Sequence, residues 1–382
     1  MRRFKLCAVF AGVLGAGLLG AVAAHGANGH ADSHAVCPSP PSAYAHCHSL
    51  VVTDANGNPD ATGAPTGLSP AAIKSAYGFS TSLTAGSGKT IAIVDAYDDP
   101  TAESDLAVYS SQYGLPACTT SNGCFQKVNQ RGGTSSPRKD PGWALEISLD
   151  IQWAHAIAPG ARILLVEADS NSLTNLLAAE DYARAHAQYV SNSWGSPEFT
   201  SEAGYDGHFA QSGVSIFASA GDAGVPAEYP SASPNVISVG GTTLHFDSAG
   251  VFSGETGWSS GGGGCSSYEN ATPAQAGFSG YPQANCAGKR ATPDVSLDAD
   301  PSSGVAVYDT TRYQGRTGWF TVGGTSASSP MWASRAAAAG TSVDSAYVYG
   351  NSISYRDITS GNNGAPCLLG YDLCSGRGSW LG

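Results

Sequence analysis

From Thr66 onward, short β-branched runs alternate with stretches of helical period. TIAIVDAY, ARILLVEA, YVSNSWG, VSIFASAGD and NVISVGG read as strands, and SLTNLLAAEDYARAHA reads as an amphipathic helix between two of them. This alternation predicts an α/β fold, a doubly wound parallel sheet with helices on both faces. The strands are continuously apolar, as burial on both faces requires. In such sheets ligands bind beyond the carboxyl ends of the strands, so VDAY, SWG and AGD fall where chemistry belongs. After Phe252 the run SSGGGGCSS predicts a long surface loop bordering a cleft. No internal repeat is visible, and we expect one large domain over residues 67–382.

The pattern is different before Thr66. Residues 1–24 carry a basic head, an apolar stretch and small residues ending near Ala24, the layout of a cleaved secretory signal. No other segment approaches the ~20 apolar residues that a membrane span needs. The expected product is secreted and extracellular, free of the membrane once the signal is removed, and monomeric. Residues 25–66 are rich in Ala, His, Pro, Ser and Gly without hydrophobic period, which reads as a leader or extended, solvated arm.

Composition narrows the partners. The formal charge is −12, and losing Arg2, Arg3 and Lys5 with the signal takes it to −15, so nothing attracts nucleic acid. Eight cysteines remain once Cys7 is gone, as neighbours Cys37/Cys47, Cys118/Cys124, Cys265/Cys286 and Cys367/Cys374. An even count in an exported chain points to disulfides; proximity favours these four pairs, although eight cysteines allow 105 pairings.

Candidate chemistry starts at GGTSASSPMWASRAAAA, where a glycine turn brings Ser326 to the start of a helix. Orphan N–H groups and the helix dipole there can stabilise an oxyanion, but an ordinary N-cap serine is the plainer account until partners are found. Serine needs a base, and no histidine beyond the leader (His155, His186, His208, His245) sits in a context that would supply one. GWALEISLDIQWAHA places Glu146 and Asp150 four residues apart, on one face of a helix that is apolar nearly all round. Two buried carboxyls cannot both ionise cheaply, so they share a proton and form a base suited to acid. In FASAGDAG, Asp222 follows a strand end; if protonated, it can donate a hydrogen bond to an oxyanion.

In this order, Glu146 with Asp150, Asp222 in SAGDAG and Ser326 in GGTSASSP resemble the sedolisin family of serine-carboxyl peptidases, together with GWSSGGGGCSS from Gly257 and RATPDVSLDADP from Arg290. The resemblance implies a subtilisin-like fold and endopeptidase activity on proteins or peptides at acidic pH. It also implies that Asp95 extends the catalytic hydrogen-bond chain, that Trp194 lines the cleft, and that one structural calcium ion is held. The calcium ligands would be the carboxylates of Asp357 and Asp372 with the carbonyls of Ile358, Leu368 and Gly370, an all-oxygen set. The family's full folded pro-domain is not expected here, with only some forty residues between the expected signal and the catalytic region. Two rival readings are a non-catalytic secreted binding protein on a protease scaffold and a histidine-dependent neutral protease of subtilisin type.

Overall fold

The computed structural model describes residues 32–39, 43–350 and 353–381. The expected signal, residues 1–24, lies outside them. Three short strands come first: β1 (Ser33–Ala35), β2 (His46–Cys47) and β3 (Leu50–Val52). Helix α1 (Pro70–Tyr77) follows, capped by the Ser69 hydroxyl and closed by Gly78 in the left-handed conformation. The alternation read from the sequence then sets in: β4 (Thr90–Ala96), α2 (Ala102–Tyr113), β5 (Phe125–Asn129), α3 (Pro141–Ile157), β6 (Arg162–Ala168), α4 (Leu173–His186), β7 (Tyr189–Asn192), β8 (Trp194–Pro197) and β9 (Ser215–Ser219). Next come β10 (Glu228–Tyr229), β11 (Ile237–Phe246), β12 (Phe252–Gly257), β13 (Gly264–Asn270), the short α5 (Pro273–Gly277), β14 (Lys289–Thr292), β15 (Val295–Asp298), β16 (Val305–Tyr313) and β17 (Arg316–Gly323). Only Gly324 separates β17 from helix α6 (Thr325–Ala339).

The main sheet has the order β12-β11-β9-β7-β4-β6-β5, with β15 also paired to β11. Every pairing in it is parallel except β11 with β12. The jumps in strand order are those of a doubly wound sheet, as the alternating pattern requires. Helix α3 packs on α6, and both rest on the sheet around β4.

Three local expectations change. YVSNSWG is not one strand. It breaks at Ser193, so that β7 stays in the main sheet while β8 leaves it to pair antiparallel with β10 and β2. The glycine run is not a surface loop either. Gly261, Gly262, Gly263 and Gly264 are buried, the Gly262 N–H bonds the Gly221 carbonyl at 2.7 Å, and a Cβ on Gly262 would lie 2.1 Å from the Ala220 oxygen. The glycines permit close approach of two backbones at the strand end that leads to Asp222.

The third change concerns the arm, which is extended but not solvated. Val36, Cys37, Ala45, Cys47 and Val51 are buried. Strand β1 pairs with β3, β3 pairs with β17, and β2 pairs with β8, so the arm fills two open strand edges whose N–H and C=O groups would otherwise need water. The disulfides join the expected neighbours: Cys37 to Cys47, Cys118 to Cys124, Cys265 to Cys286 and Cys367 to Cys374.

Candidate active site

Helix α3 begins where Pro141 takes the first helical position and the Asp140 carboxylate accepts from the N–H groups of Gly142 and Trp143. From Gly142 to Ile157 it is buried all round, as its apolar circumference predicted. Glu146 and Asp150 are fully buried one turn apart, and Asp95 reaches them from the carboxyl end of β4. The three offer carboxylate oxygens within 4.8 Å of one another. No donor from elsewhere in the described chain meets any of the six oxygens in hydrogen-bond geometry.

Such a trio cannot carry three charges. Burial first, then the Asp95 charge, holds Glu146 well above the ordinary carboxylic range, while the hydroxyls of Ser326 and Ser49 pull it back. Burial, then Asp95 and Glu146, does the same to Asp150, opposed by the Ser193 hydroxyl. Asp95 is raised by burial and then by Glu167, its register partner on β6. The cluster therefore retains protons that isolated carboxyls would have lost.

Ser326 is the second residue of α6. Gly324 is the N-cap, at φ +98°, so the plain reading of Ser326 as an N-cap is excluded. The Ser326 hydroxyl donates to the Ser193 carbonyl at 3.2 Å. Pro330, four residues on, has no N–H to give the Ser326 carbonyl, and the Ser193 hydroxyl donates to that carbonyl instead at 3.4 Å. The α3–α6 contact brings this serine beside Glu146, near enough for its hydroxyl to lower the carboxyl's pKa.

Asp222 is partly buried in the turn after β9. Its Oδ1 accepts from the Thr325 N–H at 2.7 Å and from the Thr325 hydroxyl at 2.9 Å. Burial pushes its carboxyl up to about 7, against the pull of His48 and Thr325. Below that pH it carries a proton, and with Oδ1 engaged as an acceptor, Oδ2 can donate. A Cβ on Gly324 would lie 2.7 Å from Asp222 Oδ2 and 2.2 Å from the His48 carbonyl oxygen, and the Ser326 N–H donates to that same oxygen at 2.9 Å. The His48 carbonyl oxygen thus accepts from the Ser326 N–H, and the Asp222 carboxyl lies across the Gly324 position from it.

The Trp194 backbone pairs with β2, whereas its ring is fully buried with the indole N–H on the Val94 carbonyl at 3.0 Å. Sequence reading missed His48. Its Nδ1 meets the Ser219 hydroxyl at 2.7 Å and its Nε2 meets Glu228 Oε2 at 3.0 Å. Burial disfavours its charge, but Glu228 outweighs burial and raises its pKa; in return His48 holds Glu228 below the usual range despite burial. The imidazole is committed to those two partners rather than to the Ser326 hydroxyl. At the far C-terminal loop, Asp357 Oδ2 accepts from the Gly370 N–H at 2.8 Å, and Asp372 Oδ2 accepts from the Leu368 N–H at 2.6 Å. Asp372 Oδ1 accepts from Cys374, Ser375 and the Ser375 hydroxyl.

The pattern of the subtilase family matches residues 138–351. Kumamolisin of Bacillus sp. (strain MN-32) is 33% identical over 364 residues, covering 84% of this chain and 63% of that protein. Sedolisin of Pseudomonas sp. (strain 101) is 30% identical over 368 residues, covering 83% of this chain and 59% of that protein. The chain therefore spans about three fifths of the length of these relatives. A solved structure of Pseudomonas sedolisin, a serine-carboxyl proteinase complexed with two molecules of pseudo-iodotyrostatin, superposes with a TM-score of 0.71 at 29% identity, covering 83% of this chain and 96% of that one. Shared sheet topology, pattern and relatives give one conclusion: this chain belongs to the sedolisin branch of the subtilase family and has its subtilisin-like α/β fold.

Proposed function

We propose that this protein is a secreted serine-carboxyl endopeptidase that hydrolyses protein and peptide bonds in acid through an acyl-enzyme on Ser326. The observation that carries the reading is the start of α6, where Ser326 stands between the helix that holds a buried carboxyl trio and Asp222, which is bonded to the neighbouring Thr325. Glu146 takes the Ser326 proton as the hydroxyl oxygen attacks the carbonyl carbon, and it passes that proton to the leaving amine. The trio ionises in steps, and the first proton leaves at the lowest pH: the single negative charge it leaves rests on Glu146 as the base, while Asp150 and Asp95 keep their protons and share that charge. The Ser326 N–H and the Asp222 O–H bind the oxyanion. Water then enters, gives a proton to Glu146, and hydrolyses the ester.

The calcium ion implied by the relatives would be held at the loop formed by Asp357, Ile358, Leu368, Gly370 and Asp372. The donors are all oxygen, and both aspartates already lean on the 368–370 segment through its N–H groups. Both Asp372 carboxylate oxygens accept from N–H groups of this loop, so the carboxylate already sits within it. The ion would supply fixed positive charge that ties the loop down.

The test is hydrolysis of a denatured protein at acidic pH by wild type, Ser326→Ala and Glu146→Gln. Both variants should lose about 10³-fold or more in kcat. A Ser326→Ala variant of wild-type activity would overturn the reading in favour of a different catalyst, and a wild type without activity would favour the binding-protein alternative.

A further inference from the structure

Two histidines of the N-terminal arm and one glutamate of the body converge on one face of a small sheet. In the strand order β10-β8-β2, His46 lies opposite Gly195 and Glu228 lies opposite Pro197. The His48 N–H continues the ladder by donating to the Ser193 carbonyl at 3.1 Å. Opposite residues share a face, and so do residues two apart along a strand, so His46, His48, Gly195 and Glu228 belong to the same side. Cys47, between the histidines, belongs to the other side and is bridged to Cys37. Gly195 leaves room at the centre: a Cβ there would lie 2.5 Å from His48 Cε1 and 3.0 Å from Glu228 Oε2.

The result is two imidazoles and a carboxylate whose ligand atoms lie within 4.8 Å of one another. His48 Nε2 meets Glu228 Oε2 at 3.0 Å, and the rings of His46 and His48 meet edge to face with centroids 4.9 Å apart. His48 Nδ1 is bonded to the Ser219 hydroxyl at 2.7 Å, the kind of outer contact that orients a ligating imidazole. The ion pair of His48 with Glu228 accounts for two of the three side chains. It does not account for His46, whose Nδ1 is buried with no hydrogen-bond partner among the described residues. Two other clusters of this kind occur among the described residues. Cys118, Cys124 and His155 are closed by a disulfide, and Asp95, Glu146 and Asp150 belong to the proposed active site.

We propose that His46, His48 and Glu228 bind one zinc ion, which fastens the arm to the body of the protein. Two imidazoles and one carboxylate with an open fourth position form a donor set that suits zinc, whereas calcium and magnesium take oxygen ligands. Zinc bonds of ~2.0–2.1 Å put neighbouring corners of a tetrahedron about 3.3 Å apart, so the set closes by at most about 1.5 Å at any pair. His46 and Glu228 are partly exposed, which gives the ion a way in and leaves water for the fourth position. Strands β2 and β10 are not paired with each other, so the ion adds a direct link between them across β8. The inference needs only these strands in place and does not depend on the peptidase reading.

The experiment titrates zinc chloride into the purified full chain, stripped of metal and then returned to calcium so that the terminal loop is filled. It is run at about pH 7.5, where an ordinary imidazole is neutral and can ligate. Calorimetry measures zinc affinity, thermal denaturation reads stabilisation, and hydrogen exchange reads residues 44–48. Expected is a saturable site that raises the melting temperature by about 5 °C when zinc is ~100-fold above its Kd, with slower exchange of the Cys47 and His48 amides. Glu228→Gln, which keeps a hydrogen-bond acceptor for His48, and His46→Ala, which removes a partly exposed ring, should each weaken this site at least about tenfold and abolish the exchange effect. Zinc held elsewhere, as by His25, His30 and His34 of the leader, would survive both substitutions. X-ray absorption of zinc-loaded wild type needs no variant and should show two imidazoles in a four-coordinate shell. No saturable zinc binding, binding that both variants retain in full, or a zinc shell without two imidazoles overturns the proposal.

Discussion

At the residue scale the chemistry turns on which side chains hold protons. Ser326, Glu146, Asp150 and Asp222 were legible because each stands in a distinctive local context: a glycine turn into a helix, two acids on an otherwise apolar helix, an acid after a strand end. His48, Ser49 and Glu228 were not legible. Nothing local marks the glutamate in PAEYP, and a histidine in a leader of irregular composition gains meaning only when distant Ser219 and Glu228 close on it. Asp222 gives a sharp prediction. Replacing it with alanine removes the oxyanion donor and should cost about 10²–10³ in kcat. Asn keeps an acceptor for Thr325 and donates at every pH, so Asp222→Asn should retain more activity than Asp222→Ala. It should also lose the decline expected of wild type as pH rises through about 7, where the Asp222 carboxyl gives up its proton. A pH–rate profile of the two variants checks this. An Asn variant that still falls through that range would show that another group sets the decline.

At the scale of elements, the alternation of strands and helices specified the parallel sheet because each buried strand and helix carries its own period. The two-residue strands β2 and β10 carry no period at all; partners about 150 residues away in sequence define β2, and composition alone described its segment as an extended, solvated arm. The glycine run was misread for a related reason. Glycines mark loops and close backbone contacts alike, and only the strand end at Ala220 and Gly221 distinguishes them. The terminal loop is the element that calcium would order, in addition to the Cys367–Cys374 bridge. Chelation should lower the melting temperature of the protein and make the 357–375 segment more protease-sensitive, and restoring calcium should reverse both. An unchanged melting temperature would remove calcium from the account.

Over the whole molecule, buried carboxyls make stability depend on pH in an unusual direction. Glu146, Asp150 and Asp95 are raised; Asp222 is raised to about 7, and Glu167 and Glu180 are raised to about 8, each chiefly by burial. A raised carboxyl keeps in the folded state a proton that the unfolded chain releases near pH 4, so its stabilising contribution is complete below that value and is lost as pH climbs to the folded pKa. The melting temperature should therefore fall between about pH 5 and about pH 8. A protein more stable at neutral pH than in acid would contradict the protonation states assigned here. The most direct test of the central claim, that a carboxyl rather than an imidazole takes the Ser326 proton, is the pH dependence of kcat/KM for peptide hydrolysis by the wild-type enzyme. The account predicts a maximum below about pH 5 and negligible activity above neutrality; a rise through the imidazole range near pH 6.5 to a neutral or alkaline maximum would contradict it.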